Sequence, residues 1–154
     1  RGRRGRGIAG RAVVAGGLRL AGALPVKPAI LLLAHGARDP RWAAPFEAMA
    51  ARIAVLAPDR AVRLSYLDFL PPDLASAGSQ LIEEGCDRID IVPLFLGSGG
   101  HVRNDVPRMV TQLREHNPSV TWTLHPAIGE LSEVIEAMAQ AALGLARGVS
   151  QEPD

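Results

Sequence analysis

The stretch Ala29-Ile30-Leu31-Leu32-Leu33-Ala34-His35-Gly36 decides how this chain folds. A short, wholly apolar run such as Ala29–Ala34 is the mark of a strand buried on both faces of a sheet. His35-Gly36 ends it, and Asp39, Pro40 and Pro45 then supply the residues that open a helix. Phe46, Met49, Ala50, Ile53 and Leu56 follow at helical spacing, and Pro58 stops the helix. The same unit recurs. Val62–Phe69 reads as a strand, and Pro71-Pro72-Asp73 opens a helix with Leu74, Ala77 and Leu81 on one face, ending at Gly85. Ile89–Phe95 reads as a third strand, followed by Gly97-Ser98-Gly99-Gly100 and a helix from about Asp105-Val106-Pro107 to His116. Val120–Leu124 is a fourth strand, and Glu130–Arg147 a last helix carrying Leu131, Val134, Ile135, Met138 and Leu145. Four strand–helix units in succession imply a parallel sheet covered by helices on both faces, a three-layer α/β/α arrangement. For a sheet this small the expected strand order is flavodoxin-like, 2-1-3-4. Pro93 removes a ladder donor and predicts a local bulge near the end of the third strand.

In open α/β sheets, ligands bind beyond the carboxyl ends of the strands, where the strand order reverses. In a 2-1-3-4 sheet that point lies between strands one and three. His35 directly follows strand one, and His101 follows strand three after the glycine turn, so the two are expected to face each other there. Asp68, at the end of strand two, lies on the far side of strand one and could complete the set. Each residue has a plainer reading: a hydrogen-bonded loop histidine, or a solvated strand-end carboxylate. The pair favours a site because two of four histidines fall on the expected edge, each beside glycine, which lets backbone and ligand approach closely. His116 reads as a helix C-terminal residue, and His125 as structural. Gly97-Ser98-Gly99-Gly100 precedes a helix N-terminus, where anions are attracted, but lacks the Gly-Lys-Ser/Thr ending of a nucleotide loop and follows the third strand. Its simpler role is to turn closely beneath a flat ligand while presenting His101.

At 154 residues the chain has room for one core. Aromatics make up 4%, which argues against a stacking platform for nucleic acid. The single Cys86 excludes an intrachain disulfide, a four-thiolate zinc site and a cysteine-held iron–sulfur cluster. No apolar run approaches the roughly 20 residues of a membrane span, and a cytoplasmic, reducing location is expected. Charge is split along the chain: residues 1–29 hold seven basic residues and no acidic one, whereas residues 30–154 hold ten basic and sixteen acidic. Residues 1–28 read as a basic, disordered extension, 29–147 as a single domain and 148–154 as a tail.

Two longer motifs carry a family resemblance. Leu32-Leu33-Ala34-His35-Gly36-Ala37-Arg38-Asp39 resembles the opening motif of the small CbiX-type sirohydrochlorin chelatases, and Pro93-Leu94-Phe95-Leu96-Gly97-Ser98-Gly99-Gly100-His101-Val102-Arg103-Asn104-Asp105-Val106-Pro107 resembles their second. Leu67-Asp68-Phe69-Leu70-Pro71-Pro72-Asp73-Leu74 and His125-Pro126-Ala127-Ile128-Gly129 also fit. The resemblance spans about residues 29–145. It implies a chelatase-like fold and an enzyme, a lyase, that inserts a divalent metal (cobalt, or iron or nickel) into sirohydrochlorin in cobalamin or sirohaem biosynthesis. It also implies a homodimer, no organic cofactor, and neither nucleic acid nor membrane as partner. Carried over by position, His35 and His101 would bind the metal and accept protons. Asp68 stands where the family commonly has Glu, keeping the carboxylate with one methylene less reach.

Metal insertion must remove two N–H protons from the macrocycle while a hydrated cation enters. Neutral imidazole both ligates cobalt, iron or nickel and accepts protons near neutral pH. Arg38 and Arg103 flank the two histidines and could meet the substrate's carboxylates, and Gly36, Gly99 and Gly100 would let it approach. A non-catalytic metal or tetrapyrrole carrier would use the same ligands. A histidine phosphatase would want Arg immediately before the nucleophilic histidine, where this chain has Ala34.

Overall fold

The computed structural model describes residues 26–97 and 99–149, and of His101, Gly148 and Val149 the backbone alone. The expected basic extension lies almost wholly outside the described residues, as does residue 150 onward of the expected tail.

Four parallel strands form one sheet in the order β2-β1-β3-β4: β1 is Pro28–Ala34, β2 Ala61–Tyr66, β3 Arg88–Pro93 and β4 Thr121–Leu124. The helices are α1 (Ala44–Leu56), α2 (Leu74–Glu83), α3 (Gly100–His116) and α4 (Ser132–Val149). The expected architecture is therefore present, with β1 central and Leu31–Ala34 completely shielded from solvent or nearly so. Side chains alternate across a strand. Leu31 and Leu33 of β1 and Ile89 and Ile91 of β3 accordingly meet Leu74, Ala77 and Leu81 of α2 and Val106, Val110 and Leu113 of α3 in one core. On the opposite face Ala34 and Tyr66 pack with Ala43, beside Trp42, Phe46 and Leu64. Gly78 of α2 lies so close to the Trp122 indole that an added Cβ would stand 2.9 Å from it.

Local signals set the helix ends. Asp73 caps α2, its carboxylate accepting from the Ser76 N–H at 2.7 Å. Gly85 closes α2 at φ +86°, with the Cys86 N–H reaching back to the Leu81 carbonyl in a Schellman-type ending. Pro40 begins a 3-10 turn, Pro40–Ala43, capped by Asp39, and α1 proper starts at Ala44.

Three expectations change. No bulge occurs at Pro93: the register runs unbroken from Pro28 opposite Arg88 to Leu33 opposite Pro93. The Leu94 N–H turns toward β1, donating to Leu33, so position 93 faces β4. That strand has already made its last pair, Leu124 with Ile91, and the missing donor costs nothing. Next, α3 begins at Gly100 rather than near Asp105, with Pro107 inside it. Proline is tolerated without loss only in a helix's first turn, where the N–H groups lack intrahelical partners, which is why the sequence points to a start near Pro107; with the start at Gly100, Pro107 is the eighth residue and gives up one intrahelical bond. Lastly, β2 stops at Tyr66, three residues short of the expected Phe69. Phe69 sits at φ +66°, where no strand can continue.

The last helix also behaves differently from a core helix. It packs against a second 3-10 turn, Ile128–Glu130, and leaves Leu131, Ile135, Met138, Leu143 and Leu145 exposed. The β3–β4 half of the α1 face correspondingly holds an open cleft of about 490 Å³ lined by Ile30, Val92, His125 and Leu131. Among the described residues no helix is long and apolar enough to cross a membrane.

Candidate functional site at the carboxyl ends of the strands

The expected site residues follow three neighbouring strands. His35 comes directly after β1, Asp68 two residues after β2, and His101 is the second residue of α3, beyond β3. Gly99 caps α3 in extended backbone, and Gly100 is its first residue.

His35 is solvent-exposed and backed by an aromatic ring. It lies on Phe95 with ring centroids 4.3 Å apart and planes tilted by 38°. Phe95 itself is 2% exposed and part of the main core, so a rigid ring from β3's end fixes an imidazole from β1's end across the point where strand order reverses. The backbone is held from the other side: the Asp68 N–H donates to the His35 carbonyl at 2.9 Å, and the Leu67 N–H to the Ala34 carbonyl at 2.9 Å. Gly36 is required here. It sits at φ +85°, and a Cβ on it would lie 1.9 Å from the Asp68 carbonyl oxygen.

Arg38 is exposed and its guanidinium stands 5.5 Å from the centroid of the Phe69 ring, a cation–π pair at the rim. Arg103 pairs loosely with Glu130 at 3.8 Å, both well exposed. Beside the first turn of α3 a cleft of about 200 Å³ opens among Phe95, Val102, Arg103, His125 and Glu130. A cavity of about 420 Å³ between α2 and α3 contains none of the site residues. Added Cβ atoms at Gly97, Gly99 or Gly100 would meet nothing within 4 Å, so these glycines answer no packing need among the described residues and leave their side open.

His125 has its Nε2 2.9 Å from Asp90 Oδ1, and Arg60 stands 3.6 Å from the other oxygen. His116 ends α3, with Nδ1 2.7 Å from the Gln112 carbonyl. Among the described residues no three His, Cys, Asp or Glu side chains gather closely enough to hold a metal ion. Two residues beside His35 are not evident from the sequence. Phe95 reads as strand, and an aromatic at a strand's end beside the switch point is the available signal. Phe69 reads as the end of a strand, and nothing in the sequence announces its backbone conformation.

These features define an α/β domain of the doubly wound class, with His35, Gly36 and Arg38 following the central strand at the point where strand order reverses. A model of the CbiX family matches residues 29–143, and the chain belongs to that family. It is 33% identical over 84 residues to the sirohydrochlorin cobaltochelatase of Saccharolobus solfataricus, covering 53% of this chain and 62% of that protein. It is 28% identical over 117 residues to the sirohydrochlorin ferrochelatase of Bacillus subtilis, covering 73% of this chain and 43% of that one. The chain thus spans between about two fifths and three fifths of the length of these curated relatives. The crystal structure of a CbiX protein from Marinobacter aquaeolei superposes with a TM-score of 0.70 at 29% identity, over 78% of this chain and 98% of that one.

Proposed function

We propose that residues 29–147 form a sirohydrochlorin chelatase, an enzyme that inserts a divalent metal ion into the macrocycle, with cobalt(II) as the first metal to test and iron(II) and nickel(II) after it. The observation that carries this reading is His35, pinned on Phe95 at the switch point, in a chain of the CbiX family. Relatives named for cobalt and for iron both support the reaction class.

In this reading the metal and the tetrapyrrole are both substrates. His35 and His101 hold the incoming ion and accept the two pyrrole protons, since neutral imidazole can do either near pH 7. A pair of nitrogen ligands leaves most coordination positions open for the four macrocycle nitrogens, whereas a closed thiolate cage would retain the metal. Asp68, held beside His35 through its own backbone, offers a carboxylate to the hydrated ion on approach. Arg38 and Arg103 meet peripheral carboxylates, while Gly36, Gly99 and Gly100 keep the platform low enough for a flat ring. The exposed apolar side of α4 supports a homodimer in which a second copy covers it, and the lone, buried Cys86 fits a reducing, cytoplasmic setting.

The test is an anaerobic absorbance assay of sirohydrochlorin with cobalt(II), comparing the unaltered chain with a His35→Ala, His101→Ala double variant. The expected result is conversion faster than the enzyme-free rate and lost in the double variant. Undiminished conversion by the variant would refute the site. Tight binding of tetrapyrrole with no acceleration by cobalt, iron or nickel would make the chain a carrier instead.

A further inference from the structure

We propose that Phe69 is the surface on which the macrocycle rests beside His35, its ring face meeting the tetrapyrrole plane while Arg38, held over the same ring, meets a carboxylate at the macrocycle's edge. The inference deepens the chelatase reading and rests on it.

Phe69 is unfavourable twice over if it serves only the fold. The residue is 64% exposed and belongs to neither core cluster. Its backbone lies at φ +66°, a region that bulky side chains avoid because Cβ crowds the following carbonyl. The Leu70 N–H donates to the Asp68 carbonyl at 2.8 Å, closing a three-residue turn with Phe69 at its apex. Glycine or asparagine would make the same turn with less strain. A strained backbone presenting an exposed aromatic is a combination that gains its return from something outside the chain.

The surroundings say what that partner is. The turn is tied to the proposed metal-handling residue, since the Asp68 N–H holds the His35 carbonyl and Gly36 passes under the Asp68 carbonyl. A group that stacks on Phe69 is therefore presented next to His35. The guanidinium of Arg38 at 5.5 Å adds a positive charge beside the apolar ring. A ligand matching this pattern is broad and flat, with π-faces and anionic edges, as a polycarboxylated tetrapyrrole is.

Equilibrium titration of metal-free sirohydrochlorin, read by quenching of its fluorescence, separates the possibilities. Phe69→Gly is expected to weaken binding about tenfold, the scale of one lost aromatic contact, while melting within about 2 °C of the unaltered chain or above it. Phe69→Tyr keeps the ring and is expected to bind within about twofold of the unaltered chain. Unchanged binding by Phe69→Gly, with the unaltered chain binding well, would overturn this inference alone. So would weakening by Phe69→Gly accompanied by a melting point lower by several degrees and no rescue by tyrosine, which would make the ring a packing element. Absence of binding by the unaltered chain would overturn the chelatase reading itself, before any variant is compared.

Discussion

Two glycines with nearly the same backbone conformation allow the contact under His35 to be weighed. Gly36 lies at φ +85° and Gly85 at φ +86°. A Cβ at Gly85 would meet nothing within 4 Å, whereas one at Gly36 would stand 1.9 Å from the Asp68 carbonyl oxygen and 3.0 Å from its carbon. Gly85→Ala therefore carries the conformational penalty alone, about 1–2 kcal/mol for a left-handed alanine, reduced by the entropy that alanine removes from the unfolded chain. Gly36→Ala carries the same penalty and must also displace the backbone at Asp68, breaking the bond from the Asp68 N–H to His35. One backbone hydrogen bond and a forced loop shift add about 1–3 kcal/mol. Urea unfolding should then place Gly36→Ala about 2–4 kcal/mol below the unaltered chain and Gly85→Ala about 1 kcal/mol below it. The functional readout should split more sharply: Gly36→Ala loses chelation because His35 and Phe69 both ride on the displaced loop, and Gly85→Ala keeps it. Equal destabilisation by the two substitutions, or chelation retained by Gly36→Ala, would refute the claim that Asp68 and Gly36 brace the site.

Two further outcomes are expected. Asp73→Ala should cost about 1 kcal/mol at pH 7, the usual worth of a helix N-cap. The hydrogen bond from the Ser76 backbone holds the Asp73 carboxyl below its ordinary range, so the folded state binds its proton less readily than the unfolded state. The stabilisation is thus complete above the ordinary carboxylate value, about 3.9, and fades as pH falls through the lower folded value; urea midpoints of the two proteins should converge there. Ile135→Asp with Met138→Asp, placed on the exposed apolar side of α4, should convert a dimer to a monomer in sedimentation while leaving the helix content unchanged. A monomeric unaltered chain would remove the dimer from the proposal.

The layout of the sheet was legible because this chain punctuates itself. The apolar run before His35, the capping Asp73 and the closing Gly85 each act within a few residues, and the structure uses all three as the sequence implied. What stayed hidden depends on partners distant in sequence. The register of β3 against β4 explains why Pro93 needs no bulge, and only the paired strands reveal that β4 has ended by then. The apolar periodicity of Leu131, Ile135 and Met138 reads as a core-facing helix, but periodicity records that a face wants cover and not which molecule supplies it. The exposure of α4 in the single chain is the visible form of that ambiguity.

The candidate site divides along the same line. The place of His35 after the central strand could be read because it ends the strand that organises the sheet, and that of Gly36 because it follows. Phe95 and Phe69, one on either side of His35, could not, since their roles arise from a ring-on-ring contact at 4.3 Å and from a backbone angle of +66°. The two aromatics are complementary in kind. Phe95 is buried, belongs to the core and limits where the imidazole can point. Phe69 is exposed, belongs to no core cluster and sits where its own backbone resists it. Burial accounts for the first without any ligand, and the second is accounted for only when a ligand's π-face is laid against it. A small sheet has few deep walls with which to orient a flat substrate, so in the proposed reading an aromatic held out at the rim supplies directional contact beside His35.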